Sequence, residues 1–161
     1  MGSKTNKPVV FIVEDDNFYN AFFSTYLKNK EFEVYSFLSG EECLKSNLKP
    51  DIAILDYMLT GINGVEVMRR MKPTCPNTEF IILSGQTDIK VALKALSDGA
   101  YDYIVKDHHA KENALNKIDQ ILRYRKMREE KNMYKKSVIF ILSTLIVSLV
   151  SIFFYYLFLR H

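Results

Sequence analysis

Glu14 with Asp15, Asp56, Ser84 and Lys106 share one feature: each directly follows a short apolar run of sequence. Val9-Val10-Phe11-Ile12-Val13 precedes Glu14-Asp15-Asp16, and Asp51-Ile52-Ala53-Ile54-Leu55 precedes Asp56. Glu79-Phe80-Ile81-Ile82-Leu83 precedes Ser84, and the run 101–105 precedes Lys106. Carboxylates held close together raise one another's pKa unless a cation is present. A hard, oxygen-seeking ion such as Mg²⁺, which keeps several waters, suits such a cluster. One carboxylate could then act as nucleophile towards a phosphoryl group, giving an aspartyl phosphate. The ion and the lysine would neutralise phosphoryl oxygens, and the serine hydroxyl would donate to another. No glycine-rich phosphate loop follows the first run, so nucleotide binding is not indicated.

For these groups to meet, the apolar runs must be neighbouring strands. Each is β-branched, continuously apolar and short, as expected of strands buried on both faces. A helical pattern with Phe18, Phe22, Tyr26 and Leu27 follows the first strand, and residues 32–37 read as a second. Ser39-Gly40-Glu41-Glu42 reads as a helix start. The strand 51–55 leads through a loop with Gly61 and Gly64 to a helix over 65–71. The strand 79–83 leads to a helix over 88–97, stopped by Asp98-Gly99. The strand 101–105 leads to a last helix beginning near Ala110. Five alternating strand–helix units predict an α/β fold with a five-stranded, parallel, doubly wound sheet. In such a sheet the C-terminal strand ends lie along one ligand-binding edge.

Composition bounds the rest. The 161 residues are 48% hydrophobic and include 11 Phe and 10 Tyr but 6 Gly and 4 Pro, which excludes a disordered or collagen-like chain. Residues 137–159 account for much of that hydrophobicity, with 18 of 23 apolar and none charged. As a helix they would reach about 34 Å at 1.5 Å per residue, against a hydrocarbon core of about 30 Å. Arg123, Arg125, Lys126, Arg128, Lys131, Lys135 and Lys136 precede them, and Arg160 and His161 follow. This bias predicts a single-pass helix with the preceding domain in the cytoplasm, and Tyr155 and Tyr156 fit an interfacial belt. Between Ala110 and residue 159 there is no Pro or Gly, so one helix could run on into the membrane. The expected division is an extension over 1–7, a domain over 8–125, a basic helical linker over 126–136, the span over 137–159 and a far-side tail at 160–161. The net charge of +3 describes the basic linker more than a nucleic-acid surface. Cys43 and Cys75 lack metal-site spacing and read as reduced thiols.

Taken together, these motifs resemble the receiver domain of two-component response regulators, with a flavodoxin-like fold. Val13-Glu14-Asp15-Asp16 resembles the family's acidic pair, Leu55-Asp56-Tyr57-Met58 its phosphoacceptor loop, and Ile82-Leu83-Ser84-Gly85 its hydroxyl-bearing strand end. Gly64 matches the family's loop glycine, and 99–106 resembles its strand-five segment. The resemblance implies Asp56 as phosphoacceptor, with Ser84 and Lys106 binding the phosphoryl group. It implies Mg²⁺ held by Asp15, Asp56 and the Met58 carbonyl, with Glu14 acting through water and Asp16 an extra acid beside the pair. It also implies a switch formed by Ser84 and Tyr103. Two positions depart from the pattern, since Thr60 and Asp107 stand where the family usually has proline. Without proline, a cis Lys106–Asp107 bond would cost about 2.5–4 kcal/mol, so a trans bond is expected.

The expected function is a membrane-anchored, stand-alone receiver at the inner (cytoplasmic) membrane. It would take a phosphoryl group from a histidine kinase or histidine phosphotransfer protein. It would be a signalling phosphoacceptor rather than a turnover enzyme, with no DNA-binding output domain and no nucleic-acid partner. Phosphorylation would favour a homodimer. Two alternatives stand beside it. A degenerate receiver serving as a docking module is kept open by Thr60 and Asp107. A phosphoaspartate-type phosphatase is disfavoured because Asp56-Tyr57-Met58 lacks a second aspartate.

Overall fold

The computed structural model describes residues 7–85 and 89–159. Most of the extension expected over 1–7, the helix start expected at Asp88 and the tail at 160–161 lie outside the described residues. The chain divides into two compact units, Met1–Asp119 and Gln120–His161.

The first unit alternates strand and helix as expected. Strands β1 (Val9–Val13), β2 (Glu33–Phe37), β3 (Ile52–Asp56), β4 (Glu79–Ser84) and β5 (Asp102–Val105) pair in parallel, in the order β2-β1-β3-β4-β5. Helices α1 (Asn17–Lys28), α2 (Gly40–Leu44), α3 (Gly64–Met71) and α4 (Ile89–Ser97) connect them, and α5 (Ala110–Leu159) follows β5. The order reverses between β1 and β3, the crevice where open sheets of this kind bind ligands.

Strand alternation sorts the core. Phe11, Ala53, Leu55, Phe80 and Ile82 pack on one face with Cys43 of α2, Val67, Met68 and Met71 of α3, and Ala95 of α4. Val10, Ile12, Ile52, Ile54, Ile81 and Leu83 point to the other face, for which α1 supplies Phe23 and Leu27 and α5 supplies Ala114 and Ile118, all buried. Both cysteines are free and buried, and burial pushes the Cys43 thiol up to about 12.

The α1 helix forms where expected, and of the pattern Phe18, Phe22, Tyr26 and Leu27 only Leu27 is buried. Phe18 is 73% exposed, and the buried residues are Asn20, Phe23, Ser24 and Leu27. Phe18, Phe22 and Tyr26 line the outside instead, where Phe18 stacks on Phe22 at 6.1 Å. Lys111 Nζ lies 4.8 Å from the Phe22 ring centre. Such a cation–π contact makes an aromatic ring tolerable at the surface.

Helix starts obey capping chemistry. Ser39 and Asn63 accept from the N–H groups of Glu42 and Glu66, and Asp16 accepts from Tyr19 N at 2.9 Å. Gly99, at φ +95°, ends α4 in a conformation that side chains with a Cβ resist. There is no cis peptide bond among the described residues, so Lys106–Asp107 is trans. Asp107 opens the turn into α5: its Oδ1 accepts from His109 N at 2.9 Å and its carbonyl from Ala110 N at 3.1 Å.

In the second unit α5 continues without a break, as the lack of Pro and Gly allows. It is the one helix among the described residues long and apolar enough to cross a membrane. Its outer half is solvent-facing and apolar, with Ile139, Phe140, Ile146, Val147 and Leu149 all exposed.

Candidate functional site

Two strand ends and two strand exits meet at the crevice. Glu14 and Asp15 follow β1, Asp56 ends β3, Ser84 ends β4 and Lys106 follows β5. Ser84 is fully buried, Glu14 and Asp56 are buried, and Asp15 is half-buried. One carboxylate oxygen from each of Glu14, Asp15 and Asp56 lies within 4.8 Å of the others.

Lys106 neutralises two of the three. Its Nζ lies 2.5 Å from Glu14 Oε2 and 3.0 Å from Asp56 Oδ2. Burial pulls the lysine's proton affinity down, but the bonds to Glu14 and Asp56 outweigh it and hold its pKa above the ordinary value. Burial pushes the Glu14 carboxyl up, assisted by the Asp56 charge and opposed by Lys106. Glu14 Oε2 is buried, and Lys106 Nζ is the cation that faces it. The Tyr19 ring lies over the lysine, 5.1 Å from Nζ to the ring centre.

Asp15 is held by a different group. Thr60 donates its backbone N–H at 2.9 Å and its hydroxyl at 2.5 Å, both to Asp15 Oδ2. The Thr60 hydroxyl is the main reason the Asp15 carboxyl sits below its ordinary pKa. Three carboxylates converging on one crevice are an all-oxygen donor set that fits a hard divalent cation.

The remaining expected residues take these places. Met58 is exposed, and its N–H donates to Asp56 Oδ1 at 3.2 Å. Ser84 is one residue beyond Leu83, the partner of Asp56 across the β3–β4 ladder. Its carbonyl accepts from Lys106 N at 2.7 Å, tying the ends of β4 and β5. Tyr103 is half-buried on β5 and packs against the core. Asp16 departs from the expected role: its carboxylate caps α1 and is not among the three that converge. A residue two positions after the strand is at the helix N-terminus, where the nearest unpaired donor is a backbone N–H.

Two supporting residues escaped sequence reasoning. The buried amide of Asn20 donates to the carbonyls of Glu14 at 3.0 Å and Phe37 at 2.9 Å, pinning the end of β1 to that of β2. Its signal was position, since it precedes Phe23 and Leu27 by three and seven residues on one helical stripe. Thr60 stood out only as the place of a missing proline.

Gly64 shows how tightly the phosphoacceptor candidate is supported. A Cβ there would lie 2.2 Å from the Asp56 carbonyl oxygen, which is backbone and cannot swing aside. Gly64→Ala is therefore expected to cost about 1–3 kcal/mol, as overpacking does, read as a lowered urea midpoint. A midpoint equal to the parent's would mean that the loop after β3 yields freely.

Comparison with known proteins agrees with this geometry. Residues 10–119 match the family model described as response regulator receiver domain. The chain is 32% identical over 129 residues to a cyclic di-GMP phosphodiesterase of Thermotoga maritima, covering 80% of this chain and 35% of that protein. It is 35% identical over 105 residues to the phosphate regulon transcriptional regulatory protein PhoB of Rhizobium meliloti, covering 62% of this chain and 45% of that protein. The chain thus spans half or less of the length of these curated relatives. Among solved structures it resembles the BeF3-activated DrrB receiver domain, with a TM-score of 0.69 and 30% identity, covering 73% of this chain and 99% of that one.

Proposed function

This chain belongs to the response regulator receiver domain family, and from that premise we propose that it is a membrane-anchored switch phosphorylated on Asp56. The phosphoryl group comes from the phosphohistidine of a histidine kinase or histidine phosphotransfer protein. The observation that carries the reading is the meeting of Glu14, Asp15 and Asp56 with Lys106 at one sheet edge.

The chemistry follows from what each residue offers. An Asp56 carboxylate oxygen attacks phosphorus, the P–O bond forms, and the P–N bond breaks with its electron pair returning to the imidazole. Asp15, Asp56 and the Met58 carbonyl are the groups that would hold Mg²⁺, with Glu14 acting through water. When bound, that ion offsets charge on the phosphoryl oxygens. Lys106, already drawn to Asp56, supplies the ammonium that stabilises the transferred group, and the Ser84 hydroxyl is a donor on the adjacent strand end. Tyr103, half-buried beside β4, is the side chain that repacks when Ser84 moves. The chain is a phosphoacceptor that catalyses its own modification rather than a turnover enzyme.

The apolar half of α5 supports anchoring, and the basic residues before it support a cytoplasmic receiver at the inner membrane. On α4, Ile89, Leu93 and Leu96 are 70%, 60% and 41% exposed, an apolar face suited to a phosphorylation-dependent homodimer. The test is to place the full chain in lipid nanodiscs with Mg²⁺ and a phosphorylated histidine phosphotransfer protein or acetyl phosphate. Phosphoryl incorporation is expected with Mg²⁺ and not with EDTA. No incorporation from either donor would contradict the reading.

A further inference from the structure

The three carboxylates of the site are not held alike. Lys106 binds Glu14 and Asp56 but makes no ion pair with Asp15. What holds Asp15 is Thr60, 45 residues away in sequence, on the loop between β3 and α3. Thr60 spends two donors on a single oxygen, Oδ2, one from its backbone and one from its side chain. We propose that Thr60 is the positioning residue for Asp15, and that by fixing this carboxylate it sets the affinity of the site for its divalent ion. The inference rests on the reading of the acidic cluster as a Mg²⁺ site.

The physical case is one of preorganisation. Asp15 is only half-buried, so without a partner its side chain would sample other rotamers and turn to water. Two donors on Oδ2 restrain the carboxylate, which would otherwise have to be ordered by the ion itself. Hydrogen bonds to a ligating carboxylate from outside the coordination sphere commonly matter 10–100-fold in metal affinity. The hydroxyl contact, at 2.5 Å to an ionised acceptor, is the short, charge-assisted kind. A proline at this position could supply neither donor, because it lacks both the N–H and a hydroxyl. Thr60 is thus a second way of building the loop, one that couples it to the end of β1.

The test is calorimetric titration of MgCl₂ into the EDTA-stripped full chain in phosphatidylcholine nanodiscs. Thr60→Val keeps the shape and the backbone N–H but removes the hydroxyl, and is expected to weaken Mg²⁺ binding about tenfold. Thr60→Ser restores the hydroxyl and is expected to bind within about twofold of the parent. Urea midpoints in EDTA should be alike for all three, since Thr60 is exposed. Thr60→Val binding as tightly as the parent would overturn the inference, as would Thr60→Ser losing as much as Thr60→Val. Both outcomes leave the metal site standing. A parent that shows no saturable Mg²⁺ binding would remove the site itself, and the inference with it.

Discussion

Lys106→Met is expected to destabilise the metal-free chain by about 3 kcal/mol near neutral pH, the usual result of stripping a buried ion pair of one partner. Glu14 and Asp56 are 2% and 4% exposed, and Lys106 Nζ is the cation between them. Methionine fills similar space but leaves two buried carboxylates facing each other. The pH dependence gives the effect a signature. The Glu14 carboxyl is raised above its ordinary value of 4.5, so the folded chain holds this proton more tightly than the unfolded one. Its contribution to stability is full below that value and is lost as pH rises through the higher folded-state value. Lys106 opposes that rise in the parent, so its removal should widen the window over which stability falls. The lysine's own contribution runs differently. Its pKa is raised from 10.5, so the stability it lends is fully present below that value and is lost only as pH climbs through the folded-state value. Urea unfolding of the full chain in mild detergent, at pH 5 and pH 8, should show the variant much closer to the parent at the lower pH. Saturating Mg²⁺ should recover part of the loss at the higher one. Equal midpoints for parent and variant at pH 8 would mean that Lys106 is not the counter-ion of this site.

Asp15→Asn is expected to weaken Mg²⁺ binding on the order of 100-fold, because a hard dication in an open site depends on the count of charged oxygen ligands. The asparagine carbonyl can still accept from the N–H and hydroxyl of Thr60, so the loop stays in place while one negative charge leaves. Stability without metal should change by less than about 1 kcal/mol, since Asp15 is half-buried and one source of repulsion is gone. The initial rate of phosphorylation by acetyl phosphate at limiting Mg²⁺ should fall in step with the affinity. Magnesium titration and the rate measured side by side decide the matter. An unchanged dissociation constant would show that the end of β1 does not hold the ion.

Much of this was legible in the amino-acid order, because Glu14, Asp56, Ser84 and Lys106 each stand beside an apolar run. In a parallel sheet such runs are buried on both faces, so their ends and their neighbours' ends coincide. The long apolar segment of α5 was legible for the same reason, since composition alone separates it from the domain. What hid was local competition and long-range pairing. Asp16 had two uses open to it, ligand or helix cap, and its nearest unpaired donor was Tyr19 N. The α1 helix offered two apolar stripes, and the one with Phe18 and Phe22 lost to the one with Asn20, Phe23 and Leu27. The amide of Asn20 could tie two strand ends, a gain that hydropathy does not register. Thr60 meets Asp15 across 45 residues, and nothing in the local pattern of either predicts the pair.

The central claim is that Asp56 receives the phosphoryl group in this acidic crevice. The most direct measurement is peptide mapping of the full chain after exposure to acetyl phosphate, for the parent and for Asp56→Asn, with Mg²⁺ and with EDTA. The account predicts one hydroxylamine-sensitive acyl phosphate, on Asp56, formed with Mg²⁺ and missing both in EDTA and in the variant. Equal labelling of Asp56→Asn, or a phosphoryl group mapped to another residue of the parent, would contradict it.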